Sequence, residues 1–556
     1  MTQTQDFDVL ILGAGINGAG LFRDLCEQGL RCLIVDKADF GSGTSAAPSR
    51  LIHGGIKYLE TGEFRLVAQS TLERNLLLKN APHAVKPLST VIPIFSWLKG
   101  IPAALRTLLG STTAPRSRGA VLIKIGLGLY DFYGARHRVM PRHALWSRKR
   151  ALTEIPPLTP RIVAAGTYYD AKVSHPERLV LELLQDGIAA SPGSEARNHC
   201  ELLGAKAGEV QFCGPDGAEF AVAPRIVVNA AGPWIDKVNT LLGAPSRLIG
   251  GTKGSHILLD HPELIAALNG RMIYFEADDG RICLVFDHLG RALVGSTDTR
   301  AADPDSVRCE DDEIDYFLQS LRGLLPGLSF DRSQIVYAYA GIRPLPASDG
   351  TAPGLISRDH SAPVIEGEGL RPWPIIALVG GKWTTFRGFA EEVGDTILSR
   401  LGQARRVATT GLPIGGGRDF PTTEDARRRW ITAVSEATGA SPARVGALLD
   451  RYGTTARLIL AQEAISAPAR LQDAPDHSHA ELDWIARNEQ VVHLEDLVMR
   501  RTALALTGRL SGRDLEVISQ ICARALHWDE PRRARELAKT EAKLVSRHRL
   551  RLGRSG

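Results

Sequence analysis

Gly13, Gly15 and Gly18 are the residues whose spacing first points to chemistry. They follow an apolar run, Val9-Leu10-Ile11-Leu12, and lead into a helical stretch; a second apolar run, Cys32-Leu33-Ile34-Val35, then ends on Asp36. A strand, a Gly-x-Gly-x-x-Gly turn, a helix and a strand with an acidic tip form the unit that binds a dinucleotide. Gly13 permits the tight turn, Gly15 lets the backbone approach a pyrophosphate, and Gly18 lets the helix pack close to the strand. The helix N-terminus offers N–H groups and the positive end of its dipole to phosphates. Asp36 can accept hydrogen bonds from ribose hydroxyls. The chain is therefore expected to bind FAD or NAD.

The next segment favours FAD. It reads Phe40-Gly-Ser-Gly-Thr44-Ser45-Ala-Ala-Pro-Ser-Arg50-Leu-Ile-His53-Gly54-Gly55-Ile-Lys57-Tyr58, where a nicotinamide enzyme would normally continue with another strand–helix repeat. Small, hydroxyl-bearing residues and two adjacent glycines can lie flat against a flavin ring with their amides turned to it. Seven further motifs follow: Val227-Val-Asn-Ala-Ala231-Gly232-Pro-Trp234, Thr252-Lys-Gly-Ser-His256, Gly295-Ser-Thr-Asp298, Ala340-Gly-Ile-Arg343-Pro-Leu345, Ser357-Arg358-Asp359, Gly380-Gly381-Lys382-Trp-Thr384-Thr385-Phe-Arg387, and Leu494-Glu-Asp-Leu-Val-Met-Arg500-Arg501-Thr502. In this order, over some 500 residues, they resemble the flavin-dependent glycerol-3-phosphate dehydrogenases.

The resemblance implies oxidation of sn-glycerol 3-phosphate to dihydroxyacetone phosphate, with non-covalent FAD taking the hydride and membrane quinone taking the electrons. A dianionic phosphate needs converging cations. The matching motifs supply Lys57, Arg343, Arg358 and Lys382, with Tyr58 and Thr384 as hydroxyl partners. His256 is the candidate base, since a neutral imidazole can take the hydroxyl proton; Arg343 is its rival as electrostatic activator. Expected cofactor contacts are Gly13, Gly15, Asn17, Gly18, Asp36, Thr44, Ser45, His53, Gly54, Gly55, Ala231, Gly232, Gly380, Gly381, Lys382 and Thr384. Two departures bear on the substrate. Lys57 stands where the family usually has Arg, and the stretch Tyr168–Leu179 replaces one that normally carries paired aspartates before Arg-Leu. Another polyol phosphate, such as erythritol phosphate, is therefore an alternative substrate. An FAD-dependent amine or amino-acid oxidase is an alternative from a second class.

These groups need elements to hold them. The expected fold is α/β: a discontinuous Rossmann-like FAD-binding domain (1–244 and 346–414), an antiparallel β-sheet cap for substrate (245–345), and a C-terminal helical domain (415–556). Runs at 225–230 and 374–379 are expected to complete the first sheet, and a helix from about Thr385 to Leu401 to place its N-terminus beside the flavin.

At 556 residues the chain is long enough for two or three domains. Its seven cysteines form no CxxC pair, so reduced thiols in the cytoplasm are expected and no metal site. No apolar signal stretch and no run of roughly twenty apolar residues is present. Residues 97–150 carry eleven Lys/Arg against one acid, and residues 531–556 nine against two, while the whole chain is only +5. Clustered positive charge on an otherwise acidic chain suits an anionic membrane surface rather than nucleic acid. Leu98, Ile101, Leu105, Leu108 and Leu109 fall on one helical face, with Trp97 as an interfacial aromatic beside Lys/Arg, as a monotopic contact requires. The expected location is the cytoplasmic face of the inner membrane, and assembly as a homodimer is left open.

Overall fold

The apolar runs at the start of the chain form β1 (Gln5–Leu12) and β2 (Cys32–Val35), joined by helix α1 (Ile16–Glu27). The computed structural model describes residues 5–59, 62–98, 119–135, 139–277, 279–301, 303–348, 359–369, 371–465 and 469–553. Arg358 and residues 99–109 of the apolar stripe lie outside them, as does the side chain of Lys57.

β1 is central in the first sheet. Glu219–Asn229 pairs with it in parallel on one side (Val9 with Ile226, Leu12 with Asn229) and β2 on the other (Val9 with Cys32). Ile375–Ala377 adds beyond Glu219–Asn229, and Glu195–Arg197 beyond β2. Val9–Leu12, Cys32–Val35 and Ile375–Ala377 are fully buried apolar runs, the pattern of a parallel sheet covered on both faces. α1 packs between helices Pro176–Ala190 and Phe386–Arg400. The doubly wound half assembled from distant segments is thus as expected, including the late helix.

The second sheet is mostly antiparallel. Strands Ile249–Leu259, Arg271–Glu276, Ile282–His288, Arg291–Gly295 and Ile335–Pro346 come from the stretch expected to form it. It also takes four strands from earlier in the chain: Leu51–Ile52, Val85–Ile94, Ala144–Ser147 and Ala164–Val173. The division at residue 244 therefore does not follow sheet membership. The joint is a parallel pairing of Ser89–Val91 with Arg271–Ile273. Alternation along a strand shows which face is buried but not which distant strand it meets.

One face of this sheet packs on helix Asp311–Leu324 through Phe317 and Leu321. The other, with Leu258, Tyr337 and Tyr339, shares a core with the C-terminal helices. Those helices are also pinned to the first half by buried ion pairs. Arg178 binds Glu489 through two bonds of 2.9 Å, and Asp39, just past β2, accepts from Arg500 (2.5 Å) and Arg501 (2.7 and 2.8 Å). Removing one partner of such a pair leaves an uncompensated buried charge, a cost of about 3–5 kcal/mol.

Candidate active site

The glycine turn and the tip of β2 are hydrogen-bonded into one piece. Gly13 has φ of 103° and donates its N–H to Val35 O (2.7 Å); Asp36 accepts from the N–H groups of Ala14 (2.7 Å) and Ala38 (2.9 Å). Asp36 is half-buried, and desolvation raises its carboxyl pKa to about 6 against those two bonds, so it is mostly carboxylate at neutral pH. Ser45 Oγ accepts from Ile16 N–H (2.9 Å), which ties the hydroxyl-rich segment to the start of α1. A Cβ on Gly18 would run into the carbonyl of Gly13, so that glycine serves packing.

A cavity of about 590 Å³ opens above this turn. Of the expected cofactor residues, Gly13, Gly15, Asn17, Asp36, Thr44, Ser45, Ala231, Gly232, Gly380, Gly381 and Lys382 line it. His53, Gly54, Gly55 and Thr384 build the turn on which Lys382 rests. The Lys382 ammonium donates to Ser70 Oγ (2.9 Å) and His53 O (3.3 Å) and lies 4.8 Å from the centre of the Tyr58 ring. Thr384 Oγ1 donates to the same carbonyl at 3.2 Å. Three of the expected substrate residues are thereby brought together.

Arg343 and His256 sit side by side on the cap sheet. Strands Ile249–Leu259 and Ile335–Pro346 place Gly254 opposite Gly341 and His256 opposite Tyr339, so these four and Arg343 share one face. The guanidinium of Arg343 lies over Gly254, where a Cβ would collide with it. It pairs with Asp298 (3.1 Å) and donates to Ser296 Oγ (3.1 Å) and Thr297 O (3.2 Å). His256 stacks on Tyr339 at 4.9 Å between ring centres, and its Nε2 is 2.8 Å from Ser49 Oγ. Burial, with Arg343 and Arg50 nearby, pushes its pKa well below the usual imidazole value. The ring is therefore neutral at physiological pH. Tyr339, Ile342 and Pro344 line the cavity, with His256 and Arg343 next to them in the sheet.

The Tyr168–Leu179 stretch braces the surroundings. Asp170 bonds the Gly54 amide (3.1 Å), Glu177 holds Arg50 (2.8 Å), and Arg178 binds Glu489. The cavity also has a wall that the sequence did not reveal, made by Met499, Arg500, Lys543, Arg547 and His548. Lys543 pairs with Glu495 at 2.9 Å. Part of the basic C-terminal cluster thus turns inward instead of forming an outer charged face. Only the alternation of Tyr337 and Tyr339 along their strand could have hinted at an inward wall here. Asp39, His199 and Asp496 converge closely enough to hold a metal ion, but Arg500 donates to both carboxylates.

The fold and its glycine turn are those of a dinucleotide-binding protein, and sequence similarity narrows the class to the FAD-dependent oxidoreductases. The sequence profile described as "FAD dependent oxidoreductase" matches residues 8–387, and that of the "C-terminal domain of alpha-glycerophosphate oxidase" matches 407–533. A glycerol-3-phosphate dehydrogenase from Synechocystis sp. is 32% identical over 91% of this chain and 90% of its own. An aerobic glycerol-3-phosphate dehydrogenase from Bacillus subtilis is 28% identical over 89% and 87%. The solved glycerol-3-phosphate dehydrogenase from Bacillus halodurans, complexed with FAD, shares the fold with a TM-score of 0.75 at 22% identity, covering 98% of this chain and 95% of that one. This chain belongs to the glycerol-3-phosphate dehydrogenase family. Its residues fit FAD: the glycine at 15 opens the cavity at the N-terminus of α1, and Asn17, on the cavity wall, has a buried Oδ1 with no hydrogen-bond partner.

Proposed function

We propose that this chain oxidises sn-glycerol 3-phosphate to dihydroxyacetone phosphate and passes the electrons to a membrane quinone. The observation that carries the reading is that Lys382, which lines the cavity, clusters with Tyr58 and Thr384 against the His53–Gly55 turn behind it. Bound FAD supplies the hydride acceptor. Lys382 provides the cation for the phosphate, Lys57 and Arg358 remaining candidates from the sequence alone, and Tyr58 and Thr384 orient the substrate through their hydroxyls. The hydroxyl proton is assigned to Nε2 of His256, the nitrogen that meets Ser49. Arg343, steadied by Asp298, stabilises the developing alkoxide. In this reading residues 1–244 and 346–414 serve mainly the cofactor, 245–345 the substrate, and 415–556 close the cavity from behind.

Anaerobic titration of the FAD-loaded protein tests it. sn-Glycerol 3-phosphate is expected to bleach the flavin band faster than erythritol phosphate, and glycine or proline not at all. Bleaching by the amino acids alone would overturn the substrate class.

For the membrane, support comes from helix Ala120–Tyr133. Val121, Ile125, Leu129 and Phe132 recur along its outer side, with Ile125 57% and Phe132 73% exposed, and Phe64, Phe95, Trp97 and Leu98 are exposed as well. Lys124, Arg142 and Arg148 to Arg150 are exposed in the same basic stretch. Among the described residues no helix is long and apolar enough to cross a membrane, so this face would lie in the interface, on the cytoplasmic side of the inner membrane. Ile125→Ser with Phe132→Ser is expected to weaken co-sedimentation with anionic vesicles on the order of thirtyfold, from roughly 2 kcal/mol of lost burial, and to slow quinone reduction with it. Bleaching in solution should persist. Undiminished co-sedimentation would move the contact elsewhere.

A further inference from the structure

Three separate elements converge beneath one peptide bond of the site. Arg74 comes from helix Phe64–Asn80, Tyr130 from the inner side of Ala120–Tyr133, and Asp170 from strand Ala164–Val173; all three are buried. The Gly54 N–H donates to Tyr130 Oη (2.9 Å) and to Asp170 Oδ1 (3.1 Å). Tyr130 Oη donates to Asp170 Oδ1 (2.5 Å), and Arg74 donates to both (2.8 and 3.0 Å). Tyr168 braces the Tyr130 ring edge-on at 5.6 Å. Gly54 has no room for a side chain, because a Cβ would strike Tyr130 and Thr71.

The Gly54 N–H and the His53 carbonyl are opposite poles of the same rigid peptide plane. The carbonyl pole accepts from Lys382 Nζ and Thr384 Oγ1. We infer that Tyr130 and Asp170 are positioning residues for the reaction: by holding the His53–Gly54 peptide at its amide end, they aim its carbonyl at Lys382 and so set where the substrate-binding ammonium stands. A carboxylate at the amide end also polarises the peptide and strengthens the carbonyl as an acceptor. The phenol keeps its proton, since burial raises its pKa far above the usual value, and so it both accepts from the amide and donates to Asp170. Tilting the peptide would move Lys382, and misplacement by about 1 Å at a positioned group costs up to roughly a hundredfold in rate.

This inference rests on the proposed role of Lys382 toward a polyol phosphate, and a cycle with Lys382→Ala separates the two. Tyr130→Phe and Asp170→Asn are each expected to lower kcat/KM for sn-glycerol 3-phosphate about tenfold with full FAD content. In a Lys382→Ala background the same changes should cost less than about twofold, because the group they position is gone. Equal losses in both backgrounds, or unchanged kinetics with only a lowered melting temperature, would overturn the inference. Tyr130→Phe leaves the Asp170 carboxylate and Arg74 paired, so it decides the matter if Asp170→Asn does not fold. Absence of bleaching by polyol phosphates in the unsubstituted protein would instead remove the substrate reading.

Discussion

Gly15→Val is expected to purify colourless but folded. A Cβ built at this position meets only Ser45 Oγ, at 3.1 Å, whereas one at Gly18 meets the Gly13 backbone and one at Gly13 meets Ala230 O at 2.7 Å on a left-handed backbone. Position 15 thus takes a Cβ in the bare protein if Ser45 Oγ gives by a few tenths of an ångström, and has no room for one once a pyrophosphate approaches the N-terminus of α1. Losing two charge-assisted backbone contacts would cost on the order of 3–6 kcal/mol, and FAD affinity would fall by at least about a hundredfold. The ratio of flavin to protein absorbance measures the loss. Thermal melting should show the wild type stabilised by added FAD and the variant indifferent to it. A variant that retains stoichiometric flavin would mean that the cradle lies elsewhere.

Lys382→Ala and Arg343→Ala should each remove on the order of 2–4 kcal/mol of transition-state stabilisation, lowering kcat/KM roughly thirtyfold to a thousandfold. Lys382 lines the cavity. Its removal leaves Ser70, His53 O and the Tyr58 ring without their shared cation. Arg343→Ala leaves Asp298 without its 3.1 Å partner at a site only about one-fifth exposed, so part of its cost will appear as lost stability. Steady-state kinetics alongside flavin content separates the two. A loss below about threefold with full flavin would remove that residue from the substrate site.

How much of this was legible in the sequence follows from the range of the interactions. The cradle was legible because Val9 to Asp36 is local: two buried strands, the helix between them and the glycine turn all fall within 28 consecutive residues, and a residue with φ of 103° at Gly13 calls for glycine wherever it occurs. The helix Phe386–Arg400 and the helical C-terminal region were legible for the same reason, since helix signals are read within a few turns. Proposed site residues sharing a short motif, such as Lys382 with Thr384, came as sets.

Tertiary structure decided the rest. Asp39 and Arg501 are 462 positions apart, yet they join the tip of the first βαβ unit to the C-terminal helices. Val85–Ile94 and Ala164–Val173 joined the second sheet, and the Gly54 amide found Tyr130 and Asp170 at separations of 76 and 116 residues. Nothing local distinguishes these acids and tyrosines from surface ones. Their partners are selected only when apolar faces bury against each other and leave the polar groups caught between them with no water to turn to, so that each must pair within the protein.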